Sequence, residues 1–282
     1  MRELIELRVF EKYARTIFRD HEGDLLGGFV RKVVLDMASP RYDAVSALLR
    51  KYAAKGVQVV SGWDFRRTYT PTEMQAAGFF HARITAGFEP AAEECGTRYN
   101  DDAACPACSS GAEQVGELLL DVRRVPHSKD VACALGGEIV VSRRFADLVS
   151  QQDPTAAGMF GGIVDIKNGR VSPDWFQMRP SGRFDISPVT QTGNDPFDHD
   201  PEGRYRCPKG DLIGLALLSE VFIDRITTDA GIWMSNQFVG IRRGLIRPER
   251  VCIMSADCAR ALMEARVQGL RFEVAHAGSD RA

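Results

Sequence analysis

No stretch of this 282-residue sequence approaches the roughly 18 apolar residues of a membrane-spanning helix. The charged start MRELIELRVFEKYAR also lacks the apolar centre of a secretory signal. Charge of one sign is missing too: 36 basic and 38 acidic residues leave a formal net charge of -2, which argues against a general polyanion binder. There is no Walker loop, no G-x-G-x-x-G in a β-α-β setting, no G-x-S-x-G elbow and no H-E-x-x-H. Seven cysteines, odd in number and unevenly spaced, do not make a disulfide framework and fit a reducing, cytoplasmic setting. What is present is a globular composition, 44% hydrophobic and 26% charged, in a chain long enough for one large domain or two ordinary ones.

Apolar residues at Leu4, Leu7, Phe10, Ala14, Ile17 and Phe18 predict an amphipathic helix over 1–20, although LIELRVF also suits a strand. Ser39 and Pro40 open a second helix that Gly56 ends. VQVV at 57–60 reads as a strand, and Thr70-Pro71-Thr72-Glu73 has the spacing of a capping box. Residues 1–85 are thus expected to form a mostly helical N-terminal region, and 86–282 an α+β domain of mixed sheets with peripheral helices. Within the second region, 137–149 and 250–262 both read as strand, serine, helix, with Ser142 and Ser255 as N-caps. Each is followed by a glycine turn and another strand, at 161–167 and 269–277. They are two β-α-β-like repeat units or two independent instances of a common unit. A helix is expected over 212–222 and a strand pair over 231–244.

The most chemically specific stretch is Glu93–Gly111, EECGTRYNDDAACPACSSG, which holds Cys95, Cys105 and Cys108 among polar residues, glycine and proline. Such a segment buries little apolar surface and is more easily ordered by a metal than by packing. Structural Zn²⁺ takes four thiolate or imidazole ligands, often through C-x₂₋₄-C knuckles. Cys105-Pro-Ala-Cys108 is one such knuckle, and Cys95 adds a third thiolate. Ala92, where a second partner for Cys95 would stand, cannot ligate. The expected fourth ligand is Cys207, in the knuckle-like Cys-Pro-Lys-Gly turn of a long polar loop; His199, His127 and Cys133 are the alternatives. This zinc is read as structural, stapling two distant loops. Cys252 and Cys258 have core-like neighbours and are read as packing residues.

Asp195, Asp198, His199 and Asp200 do not match an EF-hand spacing and read as an acidic solvated turn. Arg242, Arg243, Arg247 and Arg250 read as a solvated strand edge. No side chain beside the cysteines resembles the general base of zinc deaminases, so no catalytic residue is assigned.

The cysteine pair followed by a strand, the later Ser-Arg-Arg-Phe-Ala-Asp-Leu segment and the Cys207 turn together resemble the bacterial double-CXXCG proteins. The same features are similar to the SitI-type and related immunity families of polymorphic toxin systems. The resemblance covers roughly residues 88–277. It departs from the pattern at Cys-Pro-Ala-Cys-Ser and at Cys207-Pro-Lys-Gly-Asp, which has one cysteine only. What it implies is a cytoplasmic protein that binds a cognate toxin rather than catalysing a reaction. A zinc-ribbon-type nucleic-acid-binding module and a metalloenzyme are the rival readings.

Overall fold

The computed structural model describes residues 1–193, 196–197, 203–213, 216–227 and 230–278. The chain divides into two compact units, 1–76 with 195–199, and 77–194 with 200–282. The class is α+β, with mixed sheets and a few helices. Among the described residues no helix is long and apolar enough to cross a membrane.

The first unit runs β1 (Arg2–Phe10), α1 (Glu11–Ile17), β2 (Asp24–Leu26), β3 (Val30–Asp36), α2 (Pro40–Ala53), β4 (Val60–Thr68) and α3 (Pro71–Ala76). Its strands form one antiparallel sheet in the order β2-β3-β1-β4, the split β-α-β arrangement. The mostly helical region expected over 1–85 is therefore a sheet with helices against it. The helix expected over 1–20 is strand for its first half. Ile5, Leu7 and Val9 are buried and alternate with Glu6 and Arg8, the period of two that a half-buried strand requires. The apparent helical spacing joined this strand to the short α1, whose Ala14 and Ile17 are buried. On the opposite face Glu6 is buried beneath Arg8, Lys32 and Arg66, at 3.6, 3.9 and 2.5 Å. Ser39 caps α2 through Tyr42 N–H, and Thr70 and Glu73 bond reciprocally at the start of α3, as their spacing indicated.

The second unit is built twice over. Its first half runs β5 (Phe79–Ile84), β6 (Gly87–Phe88), a long loop with the hairpin β7 (Arg98–Asn100) and β8 (Glu113–Val115), β9 (Leu118–Leu120), β10 (Val131–Ala134), β11 (Ile139–Ser142), α4 (Arg143–Gln152) and β12 (Phe160–Asp165). The second half runs β13 (Arg170–Met178), β14 (Gly182–Ile186), a long loop with β15 (Thr192–Gly193) and β16 (Ala216–Leu217), β17 (Val221–Ile226), β18 (Ile232–Val239), β19 (Glu249–Ser255), α5 (Ala256–Glu264) and β20 (Leu270–Ala277). One sheet has the order β6-β10-β11-β13-β12-β9. The other, β14-β18-β19-β5-β20-β17, has the same order element for element and is closed into a barrel by a β14–β17 pairing.

The registers coincide as well. Val141 faces Phe176 where Met254 faces Phe80, and Phe160 faces Met178 where Phe272 faces Ala82. Ile163 lies beside Leu118 where Ala275 lies beside Val221. Ser142 and Ser255 each cap the helix that follows, accepting from Phe145 and Cys258 N–H. The first strand of each half is exchanged: β5 completes the barrel, and β13 completes the half-barrel of the other half. Neither half fills its own sheet, so each of the two sheets, with its own apolar cluster, is built from both halves.

The helix expected over 212–222 is not formed, since Ala216–Leu217 and Val221–Ile226 are strands. The run VFI is β-branched and aromatic, and Val221 and Ile223 are consumed by the barrel core with Phe184, Trp233 and Ile253. The strand pair expected over 231–244 is a single strand, β18, whose hairpin partner is β19.

Candidate metal centre

The two long loops occupy the same place in the two halves, one between β6 and β9 and the other between β14 and β17. Each carries a turn opened by Cys-Pro. In the first, Cys105 N–H donates to Ser110 O at 2.7 Å and Ser109 N–H to Cys105 O at 2.7 Å. In the second, Cys207 N–H donates to Asp211 O at 2.9 Å and Gly210 N–H to Cys207 O at 2.8 Å. Ser109 and Gly210 both take positive φ, 58° and 86°, to close these turns. The second turn is one residue shorter, and Asp211 stands where Ser110 stands in the first.

These turns meet. The Sγ atoms of Cys105, Cys108 and Cys207 and a carboxylate oxygen of Asp211 lie within 4.8 Å of one another, all four residues buried. Cys105 and Cys207 Sγ are 3.8 Å apart, and Asp211 Oδ2 is 3.4 Å from Cys207 Sγ and 3.7 Å from Cys108 Sγ. A tetrahedral ion with M–S of about 2.3 Å and M–O of about 2.0–2.2 Å has S···S edges of about 3.8 Å and S···O edges of about 3.5 Å. The three separations fit those edges. The group can hold a metal ion.

The surroundings favour the anionic form at Cys105 and Asp211 and oppose it at Cys207. The backbone N–H groups of Ala107 and Cys108 point at Cys105 and hold its thiol below the ordinary value. Burial pushes Cys207 up to about 11, against N–H bonds from Asp211 and Lys209. Burial also raises Asp211, but hydrogen bonds from Phe238 N–H, the Ser110 hydroxyl and the thiols outweigh it and leave the carboxyl below its usual range. Phe238 N–H donates to Oδ1 at 2.9 Å and Ser110 Oγ to Oδ2 at 2.5 Å, so both oxygens are held in place.

Three of the four expected ligands are thus together, and Cys95 is not among them. It ends the 3₁₀ turn Ala92–Cys95, which packs with Leu118, Leu120 and Trp175 in the half-barrel core. That turn fills the side of the half-barrel where β6 and β9 do not pair, and Thr97 Oγ1 ties it to Leu119 N and O at 2.9 and 3.2 Å. Burial raises the Cys95 thiol. Asp211 takes the fourth place. An aspartate after Cys-Pro-Lys-Gly has no knuckle spacing, and what marks Asp211 in the sequence is its position relative to the first turn. Of the alternatives, His127 lies against Trp175, its ring centroid 6.0 Å away, and Cys133 lies in β10, its thiol pushed well up by burial. His199, with Asp195, Asp198 and Asp200, lies outside the described residues. Cys252 and Cys258 are buried in β19 and α5.

The arginine run is not simply a solvated edge. Arg247 grips Glu93 and Asp101 at 3.0 and 3.2 Å, and Arg242 grips the same two at 3.6 and 3.1 Å. Arg242 N–H also donates to Cys108 O at 3.2 Å. This β18–β19 connection clamps the first loop from outside.

Comparison of the chain with family models, curated proteins and solved structures gives no match.

Proposed function

We propose that the protein is a zinc-stapled binding protein of the polymorphic-toxin immunity kind, which presents a rigid surface to a cognate protein partner in a reducing cytoplasm. The observation that carries the zinc is the set of tetrahedral edges among three thiolates and one carboxylate. Soft thiolates select zinc over calcium or magnesium. Four protein donors leave no open position for water, which makes the ion structural rather than catalytic. It joins the two loops that each half inserts, and a structural zinc of this kind contributes about 10–16 kcal/mol of apparent binding energy to folding.

The partner follows from the resemblance of the cysteine turns to the immunity families. A rigid surface fixed by a staple and by the Arg242–Arg247 clamp suits an inhibitor, whose affinity comes from preorganised complementary contacts. The nucleic-acid reading finds less support. On the outer face of the first unit's sheet, the central strands carry Glu6, Arg8, Lys32 and Val34, where sheet platforms that stack bases carry aromatics. Co-expression with the protein encoded beside it tests the reading. Copurification and rescue of growth support it; no complex and no protection would reject the immunity role while leaving the zinc centre to its own assay.

A further inference from the structure

A cavity of about 670 Å³ opens where the edge strand β6 and its neighbour β10 meet the start of β19. Phe88, Leu135 and Ile246 give it apolar walls, and Cys133 and Glu249 line it as well. Ile246 is 46% exposed, so part of that wall is uncovered.

Two carboxylates converge on the Gly136–Gly137 turn that follows β10. Glu138 is 7% exposed; one of its oxygens accepts from the Tyr99 hydroxyl, and the other, Oε2, is buried with no partner. Its carboxylate lies over Gly136, where a Cβ would stand 2.6 Å from it, and Glu249 Cγ comes to 3.4 Å from the place of a Cβ on Gly137. The glycine pair is what admits both glutamates, and Glu249 stays open to solvent in the cavity.

No cation answers this charge. Among the described residues, Glu89, Glu138 and Glu249 form no ion pair. The enclosing protein and the Glu138 charge raise Glu249 above the usual carboxylate range, and both glutamates add to the enclosure that pushes the Cys133 thiol well up. Arg124, the one basic residue on the wall, is exposed and acts on neither group. A concave, partly apolar surface with uncompensated negative charge is complementary to a cation that carries an apolar stem.

We propose that this cavity is a docking point for the protein partner and receives a lysine side chain from it. The methylene stem lies against Phe88, Leu135 and Ile246, and the ammonium meets Glu249 and offsets the Glu138 charge beside it. A charged pair seated in a pocket of this kind is where binding energy concentrates in an interface. That the lysine comes from a protein rests on the binding-protein reading; the preference of the cavity for the cation does not.

The test titrates isotope-labelled, full-length, zinc-loaded protein with Nα-acetyl-L-lysine N-methylamide, read by NMR at the amides of Leu135, Gly136, Gly137 and Glu249. Saturable shifts there, with a Kd of about 1 mM, are expected. Nα-acetyl-L-norleucine N-methylamide keeps the stem, lacks the ammonium and should bind at least about tenfold more weakly. Glu249→Gln should bring the lysine probe to the level of the norleucine probe, with zinc content unchanged. No shifts at these amides, equal binding of the two probes, or undiminished binding of the lysine probe by Glu249→Gln overturns the proposal. If Glu249→Gln does not fold, the two probes on the wild-type protein decide it. In copurification with the protein encoded beside it, Glu249→Lys should weaken the complex by at least about tenfold; an unweakened complex overturns the cavity as the docking point. No complex with the wild-type chain would reject the immunity reading, while the probe series decides the cavity independently.

Discussion

Asp130 precedes β10 and bonds through its side chain to both halves of the second unit. Its backbone carbonyl accepts from Ser142 N–H at 2.7 Å, and its carboxylate accepts from Ser142 Oγ at 3.0 Å, Arg144 Nη1 at 2.8 Å and Gln268 N–H at 2.9 Å. Gln268 belongs to the turn before β20, in the other half. Asp130→Ala removes all three side-chain bonds. Arg144 is half-exposed, so its pair contributes under about 1 kcal/mol. The Gln268 N–H and Ser142 hydroxyl bonds to a carboxylate contribute about 1–2 kcal/mol each, for a total of about 2–5 kcal/mol with the Arg144 pair. For a unit of this size that corresponds to a fall in Tm of roughly 4–20 °C. Differential scanning calorimetry of the zinc-loaded protein measures it. Ser255→Ala is the control, since Ser255 caps its helix at the equivalent place and should cost only about 1 kcal/mol. Should Asp130→Ala melt no lower than Ser255→Ala, the seam between the halves is held by something other than this carboxylate.

Other consequences can be checked separately. Gly269 takes φ +98°, and a Cβ there would lie 1.9 Å from Val131 O, so Gly269→Ala should cost more than about 3 kcal/mol and expose the seam to proteolysis; wild-type resistance would contradict this. Cys95→Ser should retain full zinc, whereas Cys207→Ser should lose it, and a reversed pattern by elemental analysis would restore Cys95 as a ligand. Glu11 is held at about 2 by hydrogen bonds from Arg31, against its burial. Its folded value lies below the unfolded one of about 4.3, so its contribution is complete above that pH and lost as pH falls toward 2. Glu11→Gln should accordingly be less stable than wild type at neutral pH, with the gap narrowing through acid; a gap that stays constant refutes the pairing.

Much of the second unit could be read in advance because its signals are local. Ser142 and Ser255 mark helix starts by their own chemistry, and both β-α-β stretches lie where their patterns placed them. What could not be read was the place of β5, because its pairings with β19 and β20 span more than a hundred residues and leave no local mark, whereas β13 reaches its sheet through a local hairpin with β12. The first unit misled for a different reason: Leu4, Leu7 and Phe10 satisfy helical spacing, while Ile5, Leu7 and Val9 satisfy the strand that is formed. At the metal centre, Cys105, Cys108 and Cys207 were recognisable by knuckle chemistry. Asp211 was not, since its role depends on the second turn superposing on the first. Cys95 sits near the knuckle in sequence but is drawn away by the 3₁₀ turn that fills the half-barrel.

The most direct test of the joined-loop metal centre is zinc-edge X-ray absorption on protein purified without added metal, with zinc counted per chain. One zinc per chain, with three sulfur neighbours at about 2.3 Å and one oxygen at about 2.0–2.2 Å, is the expected result, the oxygen lost in Asp211→Ala. A chain free of zinc, or a shell of four sulfurs, would contradict the assignment of Cys105, Cys108, Cys207 and Asp211.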